Sequence, residues 1–519
     1  MIFLKSLLKR KNQKLGSEEL FKLTTSLDKN KQNIESLFDK CDDFIKRDFT
    51  IMRNRRACLY YFDNMVSSEN ISRFILEQLM EIDMDRGTIK NAESIKNKLL
   101  PSHDVKISKD TNELLKAVYD GDCIIFIDGI DEALIVNVRV AKGRTVGNPL
   151  IEVSAIGPQE GFVEDLHLNL ALLRKRIKTS KYKIEFSTNG RITKNTFAIM
   201  YIEGIAKNDF VKELKNRIEQ IDTDGFIDSG HLRRFISDNK LTIFPQEIIT
   251  ERPDRCVNHL LEGRVVVMLD GSAFALIYPS VFIDLLKTAD EAYMSYYMSM
   301  FLLLLRFVAF LISTFGAALY IALTIYNPGM IPTQLLITIA SSRAGVPFPA
   351  FIEAFIMEFT FEIIREANIR IPKPIGPSIS IVGGLVIGQS VVQAGIVSQA
   401  MIIVVALTAI SAFAVPGYTT NSALRLIRFP FMIVASFLGM YGIISLLIVL
   451  LIHMASIRSV GVPYLSPITP INIKDIQNIL FHGPPKLQVY RPSFLEPTDP
   501  VHTSRKSSKN TPGKKGRLE

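Results

Sequence analysis

The sequence predicts a chain in two unlike parts. The first is an α/β soluble N-terminal half made of two related subdomains. The second is an α-helical multi-pass transmembrane domain followed by a disordered basic tail. Three observations carry this reading. Charged residues make up 22% of the 519 residues, yet none occurs from Pro374 to Leu424 or from Phe429 to Ile452. A strand–turn–strand segment at Gly121 recurs at Gly263. Lysine and arginine gather at the two ends of a chain whose net charge is +9.

Residues 1–40 are polar and Lys-rich, with little apolar periodicity after Leu8, and read as a mobile arm or a loosely docked helix. The opening Met1 to Lys11 breaks its apolar stretch at Lys5, short of the roughly 7–15 residues of a secretory signal core. The soluble half is therefore expected in the cytoplasm. From Cys41 to about residue 290, short apolar runs alternate with helical patterns over 70–82, 110–119 and 208–220. Those runs are Leu59–Phe62, Ile124–Ile127, Ala133–Val138, Ile199–Ile202, Val265–Leu269 and Phe274–Tyr278, and the alternation predicts α/β units.

Gly121 to Gly129, then Ala133-Leu-Ile, returns as Gly263 to Gly271, then Ala275-Leu-Ile, and a strand and helix precede each copy. The soluble half thus divides into subdomains 41–160 and 161–290. Asp128-Gly129 and Asp270-Gly271, each between β-branched runs, are hairpin turns, because glycine tolerates positive φ; the aspartates read as turn residues, not catalytic ones. The Gly/Pro-punctuated linker through Gly143–Pro149 and Gly157–Asp165 has neither a Walker lysine nor a strand-GxGxxG-helix context. Asp222-Thr-Asp224-Gly225 lacks calcium-loop spacing and the terminal Glu. Cys41, Cys58, Cys123 and Cys256 are scattered without a CxxC pair or nearby His, as reduced thiols are. No cofactor or metal is expected.

A helical span needs about 20 apolar residues. The transmembrane domain, 291–470, offers four: Met300–Tyr326 apart from Arg306, then 379–396, 399–415 and Phe429–Ile452. Val346 to Ala367 is apolar yet carries Glu353, Glu358, Glu362, Arg365 and Glu366. On a helix the last four fall within a ~100° arc, while Glu353 points elsewhere. A carboxylate at the bilayer centre costs about 2.5–3.5 kcal/mol, so that face must meet water, protein or the interface. Either Glu358 and Glu362 from several subunits ring a cation pathway, or the acids pair locally with Arg365 or Arg370. Gly383, Gly384 and Gly388 are small residues suited to close helix packing. Arg306 either snorkels to a membrane face or partners one of these acids.

Topology is left open by charge. A true span at 346–364 gives five crossings and an outside tail; an interfacial or re-entrant segment returns the tail to the cytoplasm. The tail, 471–519, is hydrophilic. Its basic end and that of the N-terminus (Lys5, Lys9, Arg10, Lys11, Lys14) suit anionic lipid headgroups, and no nucleic-acid motif accompanies them.

Several segments form a recognisable set: Phe244-Pro-Gln246, Thr250-Glu-Arg-Pro-Asp254, Glu262-Gly-Arg264 with Asp270, Val346-Pro-Phe-Pro349, Glu362-Ile-Ile-Arg-Glu-Ala367, Val382 to Gly388, Leu426-Ile-Arg-Phe429 and Gly461-Val-Pro-Tyr464. Together, over about residues 45–470, they resemble the A subunit of the GerA family of spore germinant receptors. The resemblance implies a protein of the spore inner membrane that works with a nutrient-binding B subunit and a C subunit lipoprotein. It also implies an oligomer acting as a nutrient-gated cation channel, with Glu358 and Glu362 as the candidate ion pathway and Arg306, Glu353 and Arg365 as candidate pairing or gating residues. The Lys-rich arm and basic tail depart from many relatives. The stage V sporulation AF-type paralogues share most of these motifs and stay open as an alternative.

Other classes fit less well. A transporter would show a membrane repeat, a scaffold would use the acids only for pairing, and an enzyme would need a nucleophile–base pair, metal cluster or phosphate loop.

Overall fold

The computed structural model describes residues 21–51, 55–80, 91–99, 104–139, 147–154, 156–371, 388–480 and 490–502. Gly383 and Gly384, much of the expected 379–396 span and the basic residues of both chain ends lie outside them.

The duplication read from the Asp-Gly turns extends to whole sheets. Strands β1 (Phe44–Ile51), β2 (Arg55–Phe62), β3 (Val105–Ser108), β4 (Cys123–Ile127) and β5 (Ala133–Val136) form an antiparallel sheet in the order β1-β2-β4-β5-β3. Strands β6 (Tyr182–Asn189), β7 (Asn195–Ile202), β8 (Ile248–Thr250), β9 (Val265–Leu269) and β10 (Ala275–Tyr278) repeat it as β6-β7-β9-β10-β8.

Both faces of each sheet are buried, so its central strands are apolar throughout. Alternate residues serve opposite faces: Leu59 and Tyr61 meet Ile71, Ile75 and Leu79, whereas Tyr60 and Phe62 meet helices α1 (Leu27–Leu37) and α2 (Thr111–Tyr119). In the second unit Ala198 and Met200 face α3 (Leu166–Arg176), while Phe197 and Ile199 face α4 (Asn208–Glu219) and α5 (Ser229–Ile236). Helix α6 (Pro253–Glu262) joins α3 on its face.

Each hairpin aspartate also serves the first helix of its own unit. Asp128 Oδ1 accepts from Leu27 N and Asp270 Oδ1 from Leu166 N, both at 3.3 Å. Gly129 and Gly271 turn the chain at φ +81° and +84° and donate to Thr25 O and Glu164 O. Residues 21–40, placed in the polar arm from sequence, thus include α1, the counterpart of α3. Arg174 joins the two units: fully buried, it lies 4.5 Å from the Phe62 ring and 4.6 Å from the Tyr182 ring and pairs with Asp43 at 2.8 Å.

The helical half comprises α7 (Tyr296–Ile325), α8 (Thr333–Arg343), α9 (Ala350–Arg370), α10 (Gln399–Ala414) and α11 (Tyr418–Ser456). Helices α7 and α11 are long and apolar enough to cross a membrane.

Helix α11 is a hairpin. At 1.5 Å per residue a straight helix would hold Tyr418 and His453 about 50 Å apart, yet Tyr418 shares a cleft with Thr242, whose Oγ1 is 3.0 Å from His453 Nε2. The chain reverses at Gly439 (φ +58°), against Tyr326, and beyond the tip Gly442 packs on Val434. The charge-free run Phe429–Ile452, read as one crossing, is therefore the upper part of two antiparallel arms. An apolar count cannot see a reversal that rests on one glycine.

After α11 the chain returns to the second unit. Strands β11 (Arg458–Ser459) and β12 (Val462–Pro463) form a short hairpin, and Val460 and Val462 enter the core around Phe197 and Val265. Ser459 Oγ accepts from Ser280 N and donates to Gln246 O. Farther on, Arg491 Nε donates to Leu261 O at 2.7 Å and Thr498 N to Ile205 O at 3.0 Å. The tail is thus anchored at least to His502, on the same side as the soluble half.

Candidate functional site

Helix α9 starts behind Pro347 and Pro349 and carries three acids into the bundle. Glu353, on the first turn, is fully buried; its Oε2 accepts from Ser398 N at 3.0 Å and Ser398 Oγ at 2.8 Å, and its Oε1 accepts from Arg343 Nε at 3.2 Å. It thereby caps α10 and ties it to the end of α8. Glu358, 1% exposed, accepts from Thr408 Oγ1 at 2.8 Å and from Arg428, itself 2% exposed. Arg428 Nε also donates to Ser313 O at 2.7 Å, joining α7 to the same point. Glu362 accepts from Arg425 at 2.8 Å and lies 3.8 Å from Arg365, whose guanidinium sits 4.8 Å from the Phe413 ring centroid. Glu366 pairs with Arg370 on the exposed side.

The acids therefore form a ladder of ion pairs through apolar helices. Removing two charges from water is repaid only when geometry is close and the remaining polar atoms are bonded. The carboxylates meet this condition more fully than the cations, since Arg365 Nε, Arg425 Nε and Arg428 Nη2 are buried without a hydrogen-bond partner. The arrangement ties five helices, α7 to α11, to one another.

The structure brings Glu353, Glu358, Glu362 and Arg365 together and sets Arg306 apart. Arg306 neither snorkels free nor meets a helix acid; it pairs with Glu291 and donates to Thr288 Oγ1 at 2.9 Å, fastening the foot of α7 to the soluble half. The local pairing expected for Glu358 is corrected too, because its cation comes from α11 rather than from Arg365 or Arg370. Among the described residues no atom lies within 4 Å of a Cβ placed on Gly388. Close helix packing is seen at Gly316, where a Cβ would lie 2.7 Å from Thr408 Cγ2. Asp128, Gly129, Asp270 and Gly271 are turn residues, as described. Sequence reasoning missed Arg343, Ser398, Thr408, Arg425 and Arg428 as partners. One signal existed: Arg425 and Arg428, three apart, match the four-residue step from Glu358 to Glu362.

At the junction, Arg264 is buried against Asp284 at 2.6 Å, and Arg252 against Asp254 at 2.9 Å with Tyr293 Oη donating to Asp254 at 2.7 Å. Burial works against ionisation of both acids, but the guanidinium partners outweigh it and hold both carboxyls below the usual range. Among the described residues no group of His, Cys, Asp and Glu is placed to hold a metal ion.

A duplicated α/β half fastened to apolar helices that carry a buried ion-pair ladder is the build of a membrane protein with a large soluble domain. The chain belongs to the Bacillus/Clostridium GerA spore germination protein family, whose model matches residues 32–494. It is 38% identical over 481 residues to spore germination protein KA of Bacillus subtilis, covering 92% of this chain and 88% of that protein. It is 35% identical over 446 residues to spore germination protein GerLA of Bacillus cereus, covering 86% and 90%. A crystal structure of the N-terminal domain of the A subunit of the Bacillus megaterium spore germinant receptor GerK3 is 30% identical and covers 51% of this chain and 99% of that one, at a TM-score of 0.41. These relatives are named for germination, not for an enzymatic activity.

Proposed function

We propose that this chain is the A subunit of a nutrient germinant receptor in the spore inner membrane, with its soluble half in the cytoplasm. In this reading it works with a B subunit and a C subunit lipoprotein and assembles into an oligomer that conducts cations when nutrient is sensed. The observation that carries the reading is the row Glu353, Glu358 and Glu362 inside apolar helices. Ionisable groups are costly there and mark ion routes or the gates that close them. Helix α8 supports the oligomer: none of its residues is buried, and it presents Gln334, Thr338 and Ser341 beside Leu335 and Ile337. Such a mixed face suits a neighbouring copy or a hydrated path better than lipid alone.

One observation favours a second reading. Each of the three acids already has its own arginine within the chain, as a scaffold or an AF-type accessory protein would use them. Potassium release after nutrient addition, from spores carrying Glu358→Gln with Glu362→Gln at normal receptor abundance, separates the two. Altered release is expected for conduction; unchanged release would leave the ladder as structural pairing.

A further inference from the structure

None of this uses the cleft at the foot of α11. It measures about 550 Å³ and runs between the Arg233–Glu247 segment of the second unit and the first turns of α11. One wall holds Arg233, Arg234 and Lys240; the other holds Tyr418, Thr419 and Leu426. Arg233 is paired with the buried Glu247 at 3.2 Å, whereas Arg234 and Lys240 have no ion-pair partner among the described residues. Beside these cations Leu241 is 95% and Ile243 43% exposed. The first turn of α11, behind Gly417, has no side-chain cap, so its amides add to the positive end of the helix dipole.

Depth identifies the occupant. From Tyr418 to the tip at Gly439 the first arm rises about 30 Å, the thickness of a bilayer's hydrocarbon core. With that arm in the membrane, the cleft lies at the headgroup level, its cations facing phosphates and its two apolar tips facing the acyl boundary. A soluble anion would leave Leu241 and Ile243 unexplained.

We propose that the cleft binds the headgroup of an anionic phospholipid in the leaflet nearest the soluble half. Arg234 and Lys240 engage the phosphate, the Thr419 hydroxyl and the α11 amides add donors, and Leu241 and Ile243 enter the acyl boundary. The proposal rests on the reading of the helical half as membrane-inserted, and its test keeps the two apart. Wild-type chain is first recovered in carbonate-washed membranes; loss from that fraction overturns the membrane reading and the proposal with it.

The full-length chain, purified in a zwitterionic detergent, is then titrated with dihexanoyl phosphatidylglycerol, dihexanoyl phosphatidylcholine or inorganic phosphate while its thermal midpoint is followed. Phosphatidylglycerol is expected to raise the midpoint and the other two to leave it unchanged. Arg234→Gln with Lys240→Gln, which removes no described ion pair, should keep the lipid-free midpoint and weaken the phosphatidylglycerol response roughly thirtyfold, as expected for two basic residues at an anionic surface. The exposed pair Lys194→Gln with Lys212→Gln, of equal charge change, should respond as wild type. An equal response to inorganic phosphate, an equal loss in the control pair, or no response from wild type recovered in washed membranes would each overturn the proposal.

Discussion

Glu358→Gln should destabilise the helical half out of proportion to a change of one atom. It leaves the Arg428 guanidinium, 2% exposed, without its carboxylate in an apolar bundle. Breaking a buried pair costs roughly 3–5 kcal/mol. The glutamine oxygen can still accept from Arg428 and Thr408, so the lower end, about 3 kcal/mol, is expected. For a body of 150–250 residues that is a fall of roughly 6–12 °C in thermal midpoint. Arg428→Met should cost a similar amount, because Glu358 keeps only the Thr408 hydroxyl. The double variant removes both charges at nearly constant volume and should recover most of the loss. The assay is the midpoint of the four chains in detergent, with membrane abundance recorded beside it. A Glu358→Gln chain that melts like wild type, or a double variant that shows simple additivity, would refute the ladder as a latch.

Local chemistry supports four more expectations. Arg174→Met leaves Asp43 buried and unpaired, so it should cost roughly 3–5 kcal/mol and open the joint between the two units to limited proteolysis. Gly439→Ala should lower membrane abundance and cost about 2 kcal/mol or more, because the residue holds φ +58° and its Cβ would lie 2.8 Å from Tyr326 Cβ. Asp254 and Asp284 sit below their unfolded pKa of about 3.9, so their contribution is present above roughly pH 4 and lost as pH falls through the folded values; Asp254→Asn should lower the thermal midpoint at pH 7 and flatten the acid fall. Burial pushes the Cys41 thiol up to about 11 and Cys58 to about 12, so thiol reagents at neutral pH should label neither until the chain is denatured.

The duplicated sheets were legible because the same hairpin is spelled twice in nearly the same letters, and the Asp-Gly turn dictates a local geometry. The apolar helices were legible because a soluble domain of this size has too little interior to hide so long a run without charge, whereas a bilayer takes it up readily. Other features depend on partners far away in the chain. Glu358 finds Arg428 seventy residues on, and a helical wheel shows only that a carboxylate must meet something. The reversal at Gly439 rests on one backbone dihedral within a run whose composition reads as a single span. Val460 and Val462 are two apolar residues in a polar neighbourhood, too short a signal to announce that they complete a distant core.

That last feature bears on the order of events during synthesis. The second unit emerges from the ribosome early, but Val460, Val462 and Phe494, which pack on its core, follow only after every apolar helix has been made. Both five-stranded sheets are thus complete in sequence before the helices are made, and what arrives late is the cover that Val460, Val462 and Phe494 lay over one face of the second core.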